Sequence, residues 1–196
     1  MADYADDANA LLDAVGWDRC LVMGVSFGGM VAQEFAVRYG QRVERLVLAC
    51  TSSGGAGGAS FPLHELTHLA PEEYARRNIR ISDMRHDAAW QAAYQAAHPA
   101  EFQALLDQAL AGQQIGTPPG GGDEPGRQIG ARRQLEARIG HDTCDRLPSL
   151  RMPVYICGGR YDGIAPPANL AAMQAAYRGH GWSCANAGMS SPSAFG

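Results

Sequence analysis

Short, continuously apolar runs alternate along this chain with stretches of helical periodicity. The apolar runs lie at 20–23, 43–50 and 154–157 and are short enough to be strands. Helical spacing predicts helices that end near Gly16, that span 28–39, and that run from about 167 to 177. Strands that are apolar throughout are typical of a parallel sheet with both faces covered. The pattern therefore predicts an α/β fold built on a parallel sheet.

The second and third runs are separated by about a hundred residues without a strand signal. This segment is rich in Ala, Gln, Glu and Arg, which favour helices. Glycines and prolines cluster at 112–126, which predicts a loop there. We expect residues 61–140 to form a helical insertion over the end of the sheet. The hydrolase-like core described below would then comprise residues 1–60 and 141–177.

Composition and charge limit the classes of molecule that this chain is expected to bind. The 16 basic and 20 acidic residues are scattered and give a net charge of -4, so no basic face for nucleic acid or an anionic membrane is predicted. No apolar run approaches the roughly 18 residues of a membrane helix, and the acidic start does not resemble a targeting signal. The five cysteines lack paired spacing, which indicates a reducing cytoplasm. We expect a small-molecule partner and no cofactor, while the oligomeric state stays open.

The strongest chemical signal is the sequence Gly24-Val25-Ser26-Phe27-Gly28, which fits the pattern G-x-S-x-G. It follows a predicted buried strand and precedes a predicted helix, as a nucleophile elbow requires. Such a turn strains the serine backbone and needs small residues two positions to either side. Ser26 is therefore the candidate nucleophile. The Phe27 N–H, at the helix amino terminus, is a candidate oxyanion donor.

A serine nucleophile needs a base, normally a histidine that a carboxylate orients. Asp162 follows the third strand, at the carboxyl end of the sheet where catalytic side chains gather. We predict that Asp162 is this carboxylate, although an Asp before a Gly is also a common turn former.

With these residues in place, the stretches 3–51 and 141–173 resemble α/β-hydrolases of the enol-lactonase and esterase type. The resemblance implies that Ser26 is the nucleophile, Phe27 an oxyanion donor and Asp162 the triad acid. It also implies that the insertion is the helical cap that shapes the substrate pocket. Compared with the family pattern, the first four strands and the loop with the second oxyanion donor are absent, so we expect an incomplete sheet.

The carboxyl-terminal end departs from the family pattern as well. The histidine after Asp162 is His180, which leaves no room for a last strand before it, so we do not expect it to be the base. Residues 178–196 resemble no element of the fold and are predicted to be a non-native tail. A one-base frame shift near Gln174 explains it, because one permitted translation of the shifted frame gives a turn, a strand and a histidine.

Other motifs compete with the elbow. His64-Glu65-Leu66-Thr67-His68 fits H-E-x-x-H, in which two histidines one helical turn apart bind zinc. Pro62 and Pro71 limit any helix there to about two turns, so a cap helix with partly exposed histidines is the simpler interpretation. The pairs 86–87 and 141–142 are assigned to helix boundaries, where Asp caps and His meets solvent.

The sequence therefore predicts a serine hydrolase of a carboxylic ester or lactone, acting through an acyl-enzyme at Ser26. Two alternatives remain: a non-catalytic remnant of the fold that binds a ligand or partner, and a zinc hydrolase. Exposed strand edges also predict poor solubility.

Overall fold

A computed structural model describes residues 1–113, 126–177 and 182–185 of the chain. Its centre is a four-stranded parallel sheet in which the strands follow one another in chain order. The strands are β1 (Cys20–Val25), β2 (Val43–Ala49), β3 (Val154–Gly159) and β4 (Trp182–Ala185). The predicted parallel α/β sheet is confirmed, and the first three strands lie where the apolar runs placed them.

Helices flank the sheet and fill the segment between β2 and β3. They are α1 (Ala2–Ala14), α2 (Phe27–Arg38), α3 (Pro71–Ser82), α4 (Ala88–Ala97), α5 (Pro99–Gln113), α6 (Arg127–Ala137) and α7 (Pro167–Ala176). Prolines begin α3 and α7, where the missing N–H costs nothing. Asp87 caps α4 by accepting a 2.8 Å hydrogen bond from the Trp90 N–H, as predicted. Most of the predicted loop at 112–126 lies outside the described residues.

The register of the sheet aligns the carboxyl ends of the strands. Val25 of β1 pairs with Ala49 of β2, which pairs with Cys157 of β3. Gly159, the last residue of β3, pairs with Ala185 of β4. The segments that leave these strands therefore emerge at one edge, which we call the carboxyl edge.

The main core lies on one face of the sheet. Side chains of α1, α2 and α7 pack there against the strands and against the segment that precedes β3. Its large, deeply buried side chains include Phe35, Val43, Leu46, Leu48, Leu147, Ile156, Leu170 and Met173. Full burial of each such side chain stabilises the fold by about 1.5–3 kcal/mol.

The opposite face of the sheet is bare in the described part of the chain. Leu21 and Met23 of β1 are 68% and 63% exposed, and Val25 and Tyr155 are exposed as well. The prediction that helices cover both faces is therefore wrong for these residues. The apolar runs have the composition of doubly covered strands, but α1, α2 and α7 all pack on the same side.

Helices α3 to α6 form the predicted helical insertion between β2 and β3. Helix α3 packs against α5 through Ala75, Ile79, Phe102 and Leu106. A second small cluster joins the insertion to the loop after β3, through contacts of Tyr74, Leu66 and Ile81 with Ile164. The insertion is thus anchored to the core at the carboxyl edge. The boundaries 61 and 140 stay a prediction.

Strand β4 corrects the interpretation of the carboxyl-terminal residues. Trp182–Ala185 pair in parallel with β3, so the prediction that 178–196 contain no element of the fold is wrong for these four residues. A parallel edge strand is held by main-chain hydrogen bonds, which almost any sequence without proline can make. Short strands of this kind leave no periodicity to detect. The frame shift stays a prediction.

None of the helices in the described part of the chain combines the length and the apolar character that a bilayer crossing requires.

Because one face of the sheet is apolar and exposed, we expect the protein to self-associate through it. Introducing a single charge on this face should weaken that association. Met23 lies on this face in the edge strand β1 and pairs with Val47 of β2, so Met23→Lys places a charge where two apolar faces would meet. Burial of one such side chain is worth about 1.5–3 kcal/mol, so the concentration at which the protein self-associates should rise about tenfold or more. Light scattering over a concentration series measures it.

Leu11→Lys is the matched control, because Leu11 is 62% exposed but lies on α1. Identical scattering curves for Met23→Lys and the unaltered chain would show that this face does not mediate association.

Candidate active site

Ser26 lies between the end of β1 and the start of α2, in a strained conformation. Its backbone angles are φ 53° and ψ −117°, a region that residues other than glycine rarely adopt and that costs on the order of 1–3 kcal/mol. The Ser26 N–H donates to the Ala49 carbonyl at 2.8 Å. The Thr51 hydroxyl donates to the Ser26 carbonyl, also at 2.8 Å. Hydrogen bonds at both the N–H and the carbonyl of Ser26 therefore hold the predicted elbow geometry.

The elbow depends on two close contacts that leave no room for a side chain on the glycine concerned. A Cβ on Gly24 would lie 2.4 Å from the Gly28 carbonyl oxygen, and a Cβ on Gly29 would lie 2.6 Å from the Thr51 Cβ. A Cβ on Gly28 would meet nothing within 4 Å. The prediction that both motif glycines are needed is thus correct for Gly24 and wrong for Gly28. Gly28 contributes its carbonyl to the contact, while Gly29 is the second position that excludes a side chain.

Phe27 is the first residue of α2, so its N–H has no acceptor within the helix. The amino terminus of a helix also favours negative charge. The Phe27 ring packs edge-on against the Tyr4 ring of α1, with 5.2 Å between the ring centroids. Helix α1 therefore helps to fix the residue whose N–H is the candidate oxyanion donor.

Asp162 lies in the loop after β3 and is only 1% exposed. Its Oδ1 accepts hydrogen bonds from the N–H groups of Ile164 at 2.8 Å and of Ala165 at 2.9 Å. Its Oδ2 is buried and has no hydrogen-bond partner among the described residues. Burial raises the pKa of Asp162 to about 6, and the two N–H donors oppose that shift. The loop thus fixes one carboxylate oxygen and leaves the other for a donor.

Ser26 and Asp162 lie at the same edge of the sheet. Ser26 follows β1 and Asp162 follows β3, with β2 between them. Neighbouring strands are about 4.8 Å apart, so the two strands are separated by about 10 Å. Such a separation leaves room for a side chain between the hydroxyl and the carboxylate.

Among the residues that the structure describes, none of the histidines reaches this position. No described histidine donates to Asp162 Oδ2. Strand β4 ends beside β3 at the carboxyl edge, and residues 186–196, which follow it in the sequence, contain no histidine. His180 lies outside the described residues.

A buried polar network that the sequence analysis missed connects the elbow to the rest of the edge. The Gln33 side chain of α2 donates to the carbonyls of Gly29 and Ser52, both at 3.1 Å. The Thr143 hydroxyl donates to Gln33 Oε1 at 2.8 Å, and the Asn169 amide of α7 donates to Ser52 Oγ at 2.8 Å. A glutamine on the apolar face of α2 was the one available signal, because a buried polar group needs partners.

The H-E-x-x-H segment does not form the α-helix that its zinc-binding pattern requires. Leu63–Leu66 form a 3-10 helix, whose three-residue period does not place positions four apart on one face. Within residues 1–113 and 126–177, no three His, Cys, Asp or Glu side chains are grouped as a metal site would need.

Comparison with known proteins identifies the family to which the chain belongs. The family model described as alpha/beta hydrolase fold matches residues 1–187. The chain belongs to the α/β-hydrolase fold family. The resemblance inferred from the elbow and the acid loop is therefore confirmed, and the incomplete parallel sheet with its helical insertion fits that family.

Two sequence relatives and one solved structure show which kinds of protein this chain is similar to. A poly(3-hydroxyalkanoate) depolymerase of Ectopseudomonas oleovorans is 26% identical over 162 residues, which are 82% of this chain and 50% of the relative. A homoserine O-acetyltransferase of Thermus thermophilus is 28% identical, covering 84% of this chain and 52% of the relative. The enol-lactonase of Burkholderia xenovorans LB400 shares the fold with a TM-score of 0.64 at 18% identity, over 94% of this chain and 64% of that one.

The chain spans about half the length of these two sequence relatives. Hydrolases and an acyltransferase are both among its relatives, so the family is established while the reaction is not.

The two motif glycines of this α/β-hydrolase should respond differently to substitution. Gly24→Ala forces a Cβ against a main-chain oxygen, so we expect the free energy of unfolding to fall by about 1–3 kcal/mol. Gly28→Ala is the matched control, because its Cβ enters open space, and it should change stability by less than about 1 kcal/mol. Denaturant titration measures both. Equal losses for the two variants would contradict the close approach.

Asp162→Asn should stabilise the fold in a pH-dependent way. Native Asp162 keeps its proton up to about pH 6, whereas the ordinary value is 3.8. Between these values the native state binds more protons than the unfolded chain, so the free energy of unfolding falls as the pH rises. Asparagine does not titrate and escapes this loss, which is on the order of 3 kcal/mol above pH 6.

Thermal unfolding of both proteins from pH 4 to pH 7 measures the difference, which should grow over that range. Asp145→Asn, at an exposed position, is the control for the same substitution outside the core. A flat difference for Asp162→Asn would refute the charge burial.

Proposed function

We propose that the whole protein is a serine hydrolase of a carboxylic ester or lactone that acts through an acyl-enzyme at Ser26. The proposal rests on the buried Oδ2 of Asp162, which has no partner among the described residues and lies at the same sheet edge as the strained Ser26. A buried carboxylate oxygen without a donor is costly. An imidazole N–H is the donor that this edge needs for both stability and chemistry.

In this mechanism the Ser26 hydroxyl attacks the acyl carbon and passes its proton to a histidine. The carbonyl oxygen becomes negatively charged, and the Phe27 N–H donates to it at the amino terminus of α2. Asp162 Oδ2 accepts the other imidazole N–H and stabilises the imidazolium. Collapse of the intermediate expels the alkoxide, which takes the proton from the imidazolium. Water then attacks the acyl-enzyme and passes its proton to the histidine, which returns the proton to the Ser26 oxygen as the acid product leaves.

The histidine is the part not found at this site: no described histidine donates to Asp162 Oδ2, and residues 186–196 contain none. In our proposal the whole protein presents it after the strand that follows β3, next to Asp162. The chain as given is then inactive or weakly active. That same gap favours a second candidate function, a non-catalytic hydrolase fold that binds a ligand or partner.

The sequence relatives support acyl chemistry. One is named as a poly(3-hydroxyalkanoate) depolymerase and the other as a homoserine O-acetyltransferase. Hydrolysis and acyl transfer share the acyl-enzyme and differ in whether water or another hydroxyl attacks it. We place this protein with the hydrolases and expect no cofactor.

Reaction with a fluorophosphonate probe tests the nucleophile. We expect mass spectrometry to locate the label on Ser26 and Ser26→Ala to remove it. Ser149→Ala is the matched control, because Ser149 is exposed and lies outside the candidate site, and it should be labelled like the unaltered protein.

Hydrolysis of p-nitrophenyl acetate tests the reaction, in this chain and in a version with the reading frame after Gln174 and the amino terminus restored. Activity should require the restored version, and Ser26→Ala should lower it at least about a thousandfold. Activity that Ser26→Ala spares would instead point to a zinc hydrolase if metal analysis finds zinc. No activity in any version would favour the binding function.

A further inference from the structure

A small cavity of about 190 Å³ lies between the loop after β2 and the end of α6. Its polar lining comes from Ser52, Ser60, His64, Arg138 and His141. We call it the Arg138 cavity. Neither Ser26 nor Asp162 lines it, so it is separate from the candidate active site.

Arg138 brings a positive charge to this cavity without an acidic partner. Its Nη2 donates to the Ser60 hydroxyl at 2.7 Å, and no carboxylate forms an ion pair with it in the part of the chain that the structure describes. Burial lowers the pKa of Arg138, but a guanidinium stays charged in proteins. A partly buried charge whose only partner is neutral is poorly compensated.

His141 supplies a second open polar atom. The sequence analysis assigned this residue to a solvent-exposed helix boundary, and that assignment is wrong, because its side chain lines the cavity. The His141 Nε2 is buried and has no hydrogen-bond partner among the described residues. Burial lowers the pKa of His141, whereas an anion bound in the cavity would favour the imidazolium form, in which this nitrogen is a donor.

Two carboxylates that could act on His141, those of Glu34 and Asp142, have other partners. Glu34 acts on His141 electrostatically, but Arg146 donates to both of its carboxylate oxygens, at 3.0 and 2.7 Å. Asp142 is exposed, and its Oδ1 accepts a hydrogen bond from the Cys144 N–H. The positive charge of Arg138 is therefore left for a ligand.

The wall that carries His141 is held in place. Asp142 forms an antiparallel bridge with Gly54, and the Thr143 N–H donates to the Ser53 carbonyl at 2.8 Å. The site is thus preformed, which lowers the entropic cost of binding.

We propose that the Arg138 cavity binds a short-chain carboxylate. The planar guanidinium matches a carboxylate, and His141 Nε2 adds a donor beside it. Met30, Phe61 and Pro62 line the remainder and suit a short alkyl chain. The cavity volume of about 190 Å³ is smaller than the 300–1,000 Å³ of sites for drug-sized ligands, so it suits a small molecule. Binding does not depend on catalysis by Ser26.

Calorimetric titration with butyrate and with butyramide tests the proposal on the unaltered chain. The two molecules have nearly the same shape, but only butyrate is charged. We expect butyrate to bind and butyramide to bind at least about tenfold more weakly, because a charged hydrogen bond is lost. Equal affinities would overturn the proposal, and so would inorganic phosphate binding more tightly than butyrate.

Arg138→Gln locates the site, because glutamine can still donate to Ser60 but carries no charge. It should weaken butyrate binding at least about tenfold. Arg133→Gln, at an exposed position of α6, is the matched control and should bind like the unaltered chain. Unchanged binding by Arg138→Gln would place the butyrate elsewhere and refute the assignment. If that variant does not fold, His141→Asn gives the same comparison, and the butyrate and butyramide titrations still decide.

Discussion

The close approach of α2 to the strands beneath it is the constraint on which the rest of the molecule depends. A helix that starts one residue after a buried strand must bring its first turn against that strand and against the residues that follow the neighbouring strand, here the Thr51 side chain. Gly24 and Gly29 permit both contacts because a Cβ at either position would collide. The strain at Ser26 follows from this geometry, and the hydrogen bonds to Ala49 and from Thr51 stabilise it.

The buried polar network extends that constraint across the carboxyl edge. Gln33 joins α2 to the loop after β2 and, through Thr143, to the segment that enters β3. Asn169 joins the same loop to α7. Each of these groups is costly to bury alone and nearly neutral when its partners are in place. The network therefore penalises any arrangement in which α2, the loop after β2, the segment before β3 and α7 move independently.

What the sequence predicted well is what neighbouring residues determine. The strand, turn and helix around Ser26 and the loop at Asp162 follow from local composition. The exchange of roles between Gly28 and Gly29 does not, because it depends on Thr51 lying opposite Gly29 after the chain has returned through β2. His141 was misassigned for a similar reason, since burial beside the loop after β2 is a property of the folded chain. Strand β4 exists through pairing with β3 and leaves little trace in its own four residues.

The acid loop shows how chemistry and stability are linked at this edge. Two N–H groups hold one oxygen of Asp162, while burial without a donor for the other raises its pKa to about 6. The carboxylate is thus least stable when ionised, which is the form that orients a base. An imidazole N–H at Oδ2 would remove that penalty by pairing the buried oxygen. In the proposed mechanism, the element that presents the base would therefore contribute to folding as well as to catalysis.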